Sequence, residues 1–599
     1  MMETRPTSTD IAARISARAF LLGLLREWDG WTFEGDGAAA AGDSAGRAPR
    51  ILLPLPSHGV TLAVAAPHRS DVGCHGFRPP FSEIRPSGAE RAIPFTLAAT
   101  LIATEPSITG AAGADRAPTF LARVFDSMAN IDDVIRHAPD RTVPFTARDP
   151  DFIEGEQALR HGHAVHPTPR SRDEFTMEDS RRFAAEYGAG FQLRWWAVAP
   201  EHIAHAASRG VPAPAMARDL LASDGAVSDA VIAAERAGRV ILPMHPWQAA
   251  RLALDADVER LMRAGAVADL GASGAPWFAT SSLRSIYAPH APWMLKTSLS
   301  LRLTNSRRLI EPHECIRGLE IDRLLAGPVG QEIFARFPQF RVMGEPAFLA
   351  LRDAAGNILR AAIMVFRDNP FRGAATTPAT VLAALAEIGG DGRDSRLARL
   401  VARIAREGGA DPRRIALAWF DRFLSVVVAP LITVQADYGL LFGAHQQNIV
   451  VGLANGWPDA LYFRDCQGTG YVSEFLPELA RLAPDVNVRA GHIFSSAEAA
   501  RLAGYYLIVN SVFAVIGALA LAGLAAERPL LAALRGLLLR LRAASPRDPA
   551  LIDYLLTSPT LESKGNFMIC FRNLNENTDV TDPLAGYVAM ANPLAEAVA

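Results

Sequence analysis

Hydrophobic and polar positions switch between a helical and a strand period several times along the chain. Apolar residues recur at helical spacing in IAARISARAFLLGLLREW, and Ser8 or Thr9 with Asp10 supplies a cap, so the pattern predicts an amphipathic helix ending near Trp28. Residues 36–49, DGAAAAGDSAGRAP, predict a turn-rich surface loop. Short strands are expected over 50–66, and a helix in TFLARVFDSMANIDDVIRHA. Strand periods return in FQLRWWAVAP, RVILPMHPWQ, APWFATSSLRSIYAP and APWMLKTSLSLRLTNS. A helical region is expected over 376–436, broken by GGDGRDS, then strands at 438–452 and 460–466 and a mostly helical last hundred residues. Strands and helices segregate rather than alternate, and no solenoid period is present, which predicts an α+β fold.

One apolar stretch changes the question. No residue between Arg501 and Glu527 is charged, and about 20 apolar residues suffice to cross a bilayer. Asn510 and Ser511 interrupt it, however, and the amphipathic LLAALRGLLLRLR follows, so a buried central helix is the expectation. The N-terminus mixes acids and arginines without a cleavage pattern, which argues against a signal peptide. A Pro/Asp-rich stretch at 139–151 marks an expected lobe boundary.

Composition excludes some partners. In 599 residues, 60 basic side chains face 63 acidic ones, for a net charge of −3, so the basic footprint of a nucleic-acid binder is missing. The four cysteines form no CxxC pair, which suits a reducing, cytoplasmic setting and argues against a zinc ribbon. Only Lys296 and Lys564 are lysines, against 58 arginines. A compact ammonium in so arginine-biased a chain has two readings, chance survival or a place where a planar fork does not serve.

Five stretches carry candidate chemistry. MLKTSLSLRLTN (294–305) alternates, so a single strand would put Lys296, Ser298, Ser300, Arg302 and Thr304 on one face, suited to an anion or, taken alone, simply the solvated face of a half-exposed strand, with Arg307 and Arg308 following in the turn. TSSLRS (280–285) gathers four hydroxyls around Arg284, a set suited to phosphate although not a Walker loop. GHAVHPTPRSR (162–172), with His161 before it, reads as a polar anion-binding loop, or a surface loop; zinc is conceivable from His161, His163 and His166, but no carboxylate or thiolate lies at a usual spacing. AHQQN (444–448), with Asp465 seventeen residues beyond Asn448, is like the Mg-nucleotide part of kinase sites, except that Gln446 and Gln447 stand where a base carboxylate would be. Lys564 precedes an apolar, strand-like run, NFMICF.

These stretches, together with LPMHPWQ (242–248) and RDCQG (464–468), resemble in order and spacing the siderophore synthetases independent of peptide-synthetase assembly lines, the aerobactin synthetase (IucA/IucC) family. The resemblance runs from about residue 154 to 564. It implies a cupped hand: a thumb lobe (1–150), a fingers lobe with the ATP and carboxylate motifs (151–375), and a palm lobe (376–599) with the HQQN and RDCQG loops and an FhuF-like C-terminal part. It implies adenylation of a carboxylate, typically citrate, by ATP and Mg²⁺, followed by attack of an amine, hydroxylamine or alcohol with release of AMP and pyrophosphate. It also implies a cytoplasmic enzyme, a homodimer, with no nucleic-acid or membrane partner.

By the resemblance, Ser282, Arg284, Ser285 and Lys296 bind ATP phosphates, and Arg308 stands between the α-phosphate and the carboxylate. His445, Gln447, Asn448 and Asp465 form the nucleotide loop, with Asn448 and Asp465 on the metal. His163, His166 and Lys564 bind the carboxylate substrate. Arg308, Lys296, His445 and Lys564 are the expected catalytic set, and His245 is expected to be structural. Departures from the family are Gly443 for a frequent Glu, Arg170 for Lys, Ala164 for Pro and Glu174 for Gly. A small-molecule kinase using His445 to Asp465, and a non-catalytic siderophore-binding or membrane-associated protein, are the competing readings.

Overall fold

The computed structural model describes residues 6–34, 49–111, 113–140, 143–373, 377–483, 491–574 and 584–596. The loop expected at 36–49 lies outside these residues except for its last position. Helix and sheet are mixed and the strands are mostly antiparallel.

The first helix, Ser8–Glu27, starts one residue earlier than the sequence suggests. Thr7 is its cap: the Asp10 N–H donates to the Thr7 hydroxyl and the Asp10 carboxylate accepts from the Thr7 N–H. A five-stranded antiparallel meander follows, from Thr32–Glu34 to Glu90–Ile93, with strands in chain order. Its apolar face packs with the helices Ser8–Glu27, Phe95–Ala103 and Gly113–His137 around Leu53, Leu62, Phe81 and Phe120.

Into this core comes a distant segment. NFMICF forms the helix Asn566–Phe571, not a strand. Its Phe567 and Phe571 rings meet Phe120 edge-on at 5.4 and 5.1 Å. Glu27, at the end of the first helix, accepts from the Met568 N–H at 2.8 Å and also from the Phe567 N–H, satisfying the start of that helix. This docking fixes Lys564, just upstream, relative to the first helix.

An eight-stranded antiparallel sheet occupies the centre. Its order is Ile203–Ala207, Ala347–Arg352, Ile358–Asp368, Trp293–Thr297, Ser285–Tyr287, Val267–Ala279, Gly190–Val198 and Val240–Met244. The single strand expected over 294–305 is broken. Trp293–Thr297 belongs to the large sheet, while Leu299–Leu303 pairs with Ser306–Arg308 in a separate hairpin. At the break the Ser298 N–H donates to the Ile363 carbonyl, and the Ser298 hydroxyl accepts from the Ile310 N–H. The chain therefore turns, and of the five polar residues expected on one face only Lys296 and Thr304 reach the cleft described below.

His245 ends the edge strand and caps the helix Pro246–Leu252, its Nδ1 accepting from the Trp247 N–H at 3.3 Å. Phe183 and Phe191 flank the ring at 5.0 and 4.8 Å, and burial pushes its pKa down to about 3. A histidine whose folded pKa lies below its unfolded value of 6.5 withdraws stability as pH falls from 6.5 toward 3, because the unfolded chain takes up the proton first. His245→Asn keeps the capping acceptor and removes the titration. Its thermal midpoint is expected to be lower at pH 7 but to fall less steeply than the wild type's between pH 7 and pH 4.

The third region holds a four-stranded sheet, Phe340–Val342, Trp457–Phe463, Ile449–Ala454 and Ala379–Val381. Ala379–Val381 is thus a strand inside the stretch expected to be helical; it pairs antiparallel with Val450–Gly452. Two helices, Pro412–Tyr438 and Ser496–Leu521, are long and apolar enough to cross a membrane. In the second, 83% of the most apolar window is buried within the protein, as expected of a core helix. Its middle, Gly504–Val512, is π-helical.

Candidate functional site

All twelve site residues singled out from the sequence line one cleft of about 410 Å³. The TSSLRS turn forms one wall. The Thr280 N–H donates to the Ser285 carbonyl at 2.9 Å, Leu283 takes a left-handed φ of 63°, and the Ser282 hydroxyl accepts from the Ser285 N–H at 3.2 Å. The guanidinium of Arg284 makes no hydrogen bond or ion pair among the described residues.

Register places the charged floor. Ser285 lies opposite Lys296, and Lys296 lies opposite Val365, two residues from Arg367. Ser285, Lys296 and Arg367 therefore share a sheet face. Lys296 is 1% exposed; its Nζ donates to Glu345 Oε1 at 3.1 Å and also reaches Asp465. Arg367 donates its Nε to the same Glu345 oxygen at 3.1 Å and its Nη1 to the Ser285 hydroxyl at 3.3 Å. Burial alone would raise both carboxyls. Lys296 and Arg367 outweigh it at Glu345, and Lys296, Arg284 and Arg367 do so at Asp465, holding both below the usual carboxylate range. Asp465 sits at φ 82°, a conformation few non-glycine residues adopt and one that sets its carboxylate beside Lys296.

The AHQQN loop lines the cleft beside the TSSLRS turn, its Gln447 amide donating to the Ser281 carbonyl at 3.2 Å. Its His445 Nδ1 accepts from the Gln447 N–H at 3.3 Å, so Nε2 carries the hydrogen. Burial pushes this imidazole down to about 4 despite Asp465 nearby, so it is a neutral donor at pH 7. Asn448 donates its amide to the Gly443 carbonyl at 2.9 Å, leaving Oδ1 as its acceptor. A Cβ on Gly443 would sit 3.3 Å from the Gly468 carbonyl, so the loop closes more tightly here than a side chain allows without adjustment.

Arg464 ties loop and turn together. It is 2% exposed and donates to both oxygens of the fully buried Glu156 at 2.9 and 3.2 Å, to the Ser281 hydroxyl at 3.1 Å and to the Gln447 carbonyl at 3.0 Å. Behind the loop, Asn510 and Ser511 of the π-helical turn hold it: the Gln446 N–H donates to Asn510 Oδ1 at 3.0 Å, and the Ser511 hydroxyl donates to the Ala444 carbonyl at 2.8 Å. Asn510→Leu leaves the Gln446 N–H without that acceptor, a penalty of about 1–3 kcal/mol. It is expected to lower turnover about tenfold while circular dichroism stays unchanged.

His163, His166, Arg308 and Lys564 line the same cleft, with His163 and Lys564 near His445. His166 is 1% exposed; Nδ1 accepts from the Thr168 N–H at 3.1 Å and Nε2 donates to Asn305 at 3.0 Å. Its ring thus holds the loop in place. Arg170 and Arg172, expected as loop cations for an anion, are both committed to buried Glu186. Arg307 points away to Glu174 at 3.6 Å. His161 is engaged by the Ile388 carbonyl at 3.1 Å, and no group of three or more His, Cys, Asp or Glu among the described residues could hold a metal. His161 therefore does not join His163 and His166 as a metal ligand. The oxygen donors Asp465 and Asn448 suit Mg²⁺ carried in by phosphates, which needs only one or two protein ligands.

Sequence reasoning missed Glu345, Arg367, Glu156 and Asn510. Only Asn510 left a trace, as a polar break in the apolar segment.

With this geometry in hand, the chain can be placed. Residues 151–387 match the IucA/IucC family, and residues 417–579 match the ferric iron reductase FhuF-like transporter family. An N(2)-citryl-N(6)-acetyl-N(6)-hydroxylysine synthase of Vibrio mimicus is 34% identical over 82% of both chains. The synthase of the same name from Escherichia coli is 32% identical over 99% of both. The structure of ATP-bound aerobactin synthetase IucA from Klebsiella pneumoniae aligns with a TM-score of 0.86 at 32% identity, covering 97% of this chain and 99% of that one. The chain belongs to the IucA/IucC family of siderophore synthetases.

Proposed function

We propose that this chain is an ATP-dependent siderophore synthetase, a carboxylate–amine ligase that adenylates citrate and passes the acyl group to an amine, hydroxylamine or alcohol. The observation that carries this reading is the convergence of Arg284, Lys296, Arg308, Lys564 and neutral His445 on one cleft. Citrate and ATP repel each other, and cations between them lower that barrier. A citrate carboxylate oxygen attacks the α-phosphorus, and the phosphorus–oxygen bond to pyrophosphate breaks. Ser282, Arg284, Ser285 and Lys296 bind the phosphates. Arg308 bridges α-phosphate and carboxylate, meeting the charge that builds on the phosphorus oxygens. Gln447 and His445 line the nucleotide, with His445 donating from Nε2. Asp465 and Asn448 would hold Mg²⁺, which neutralises phosphate charge when bound. His163 and Lys564 take the substrate carboxylates, and His166 positions their loop.

In the same reading, residues 1–150, 151–375 and 376–599 are thumb, fingers and palm of a cupped hand, with a kinase-like nucleotide loop in the palm. The protein works in the cytoplasm as a homodimer, without nucleic acid or membrane. Citrate-dependent exchange of labelled pyrophosphate into ATP tests the first half-reaction. Exchange only when citrate is present supports the reading, and ADP formation instead would favour the kinase alternative.

A further inference from the structure

A second cavity, of about 290 Å³, adjoins the cleft and is not used in the chemistry above. Gly162, His163, Ala383, Gln446 and Asn510 line both spaces and form the wall between them. The far side is one face of the first helix, where spacings of four and eight residues align Arg14, Arg18 and Arg26; Arg78 joins them from the meander. Arg18 makes no hydrogen bond or ion pair among the described residues, and its Nε is buried. Burial lowers its pKa to about 10, so it stays charged at neutral pH. The acids on the wall are already engaged. Glu387 accepts from Arg396 at 2.8 Å and from the Arg160 N–H at 3.1 Å, and Asp391 accepts from the Arg393 and Asp394 N–H groups at 3.0 Å. A buried guanidinium without an ion-pair partner is costly, so an anionic group brought beside Arg18 offsets that cost.

We propose that this cavity binds the carboxylate of an amino-acid nucleophile, whose amine reaches past the His163 and Gln446 wall into the cleft. The inference rests on the ligase reading. Ser282, Arg284 and Lys296 do not line this cavity, which sets it apart from the phosphate-binding residues, while His163 joins it to those that take the substrate carboxylates. The amine lone pair forms the carbon–nitrogen bond, the bond between acyl carbon and phosphate oxygen breaks, AMP leaves, and the surplus proton passes to solvent. A diamine without a carboxylate gains nothing from the arginines.

L-lysine and pentane-1,5-diamine differ only in that carboxylate. With the full chain, citrate and Mg-ATP, L-lysine is expected to be preferred in kcat/KM by about tenfold or more, the contribution of a charge-assisted hydrogen bond. Arg18→Gln is expected to erase the preference through KM, leaving pyrophosphate exchange and turnover with hydroxylamine unchanged. Arg14→Gln, at an exposed position, is expected to weaken the preference less and serves if Arg18→Gln does not fold. A wild type that prefers the diamine, or a preference untouched by both variants, overturns the proposal. So does a raised KM for citrate, which would give the cavity to citrate. If exchange itself is absent, the ligase reading fails separately. Titration of the protein with L-lysine and the diamine without ATP then decides the cavity: tighter lysine binding that Arg18→Gln removes sustains it, and equal binding ends it.

Discussion

Lys296→Met is expected to lower citrate-dependent pyrophosphate exchange by about a hundred- to a thousandfold, the loss typical of removing one fixed donor from a developing charge. The ammonium is buried between Glu345 and Asp465, with Arg367 as the only other cation ion-paired to them among the described residues. Without it, two carboxylates that burial already pushes upward face each other across an apolar side chain, and the cleft loses the positive floor that meets a triphosphate. Lys296→Arg is not expected to rescue. The site is packed for a point charge, and the wider fork must displace Glu345 or Asp465. Lys564→Arg is expected to impair the same exchange, chiefly through the KM for citrate. Full exchange by both arginine variants, with unchanged unfolding midpoints, would refute the role given to the two lysines.

The second large effect falls on stability. Arg464→Met is expected to cost about 3–5 kcal/mol, because it strands the Glu156 carboxylate in a fully buried place. The same change removes Arg464's bridge between the AHQQN loop and the TSSLRS turn, leaving the direct donation from the Gln447 amide to the Ser281 carbonyl at 3.2 Å. The double variant Glu156→Met, Arg464→Met leaves no orphan charge and is expected to recover most of the urea midpoint. Exchange is not expected to recover fully with it, since the Gln447 carbonyl and the Ser281 hydroxyl still lack their shared donor. A double variant no more stable than Arg464→Met would show that the pair does not act as an isolated clamp.

The legible part of this site consists of residues whose neighbours in sequence also do the work. TSSLRS and AHQQN are local turns whose hydrogen bonds close within a few residues, so their polar clusters are visible in the chain. Glu345 and Arg367 are not, because Glu345 sits in the short connection before the strand Ala347–Arg352 and Arg367 near the end of the strand Ile358–Asp368, and only the pairing of these strands with each other and with Trp293–Thr297 brings the two to Lys296. Glu156 is likewise defined by Arg464, three hundred residues away. Periodicity misleads at Ser298, where alternation continues although the chain leaves one sheet for another. It also cannot decide NFMICF, since a short apolar run suits either element, and the Glu27 carboxylate that favours the helix comes from the other end of the chain. The long apolar helix was readable as a core element, but its π-helical turn was not.

Product analysis tests the central claim most directly. The purified full chain is incubated with Mg-ATP, citrate and hydroxylamine, and nucleotides and hydroxamate are quantified together. The account predicts AMP, pyrophosphate and citryl hydroxamate in equal amounts, all dependent on citrate. ADP and phosphate in their place, or AMP formed without citrate and without hydroxamate, would contradict it.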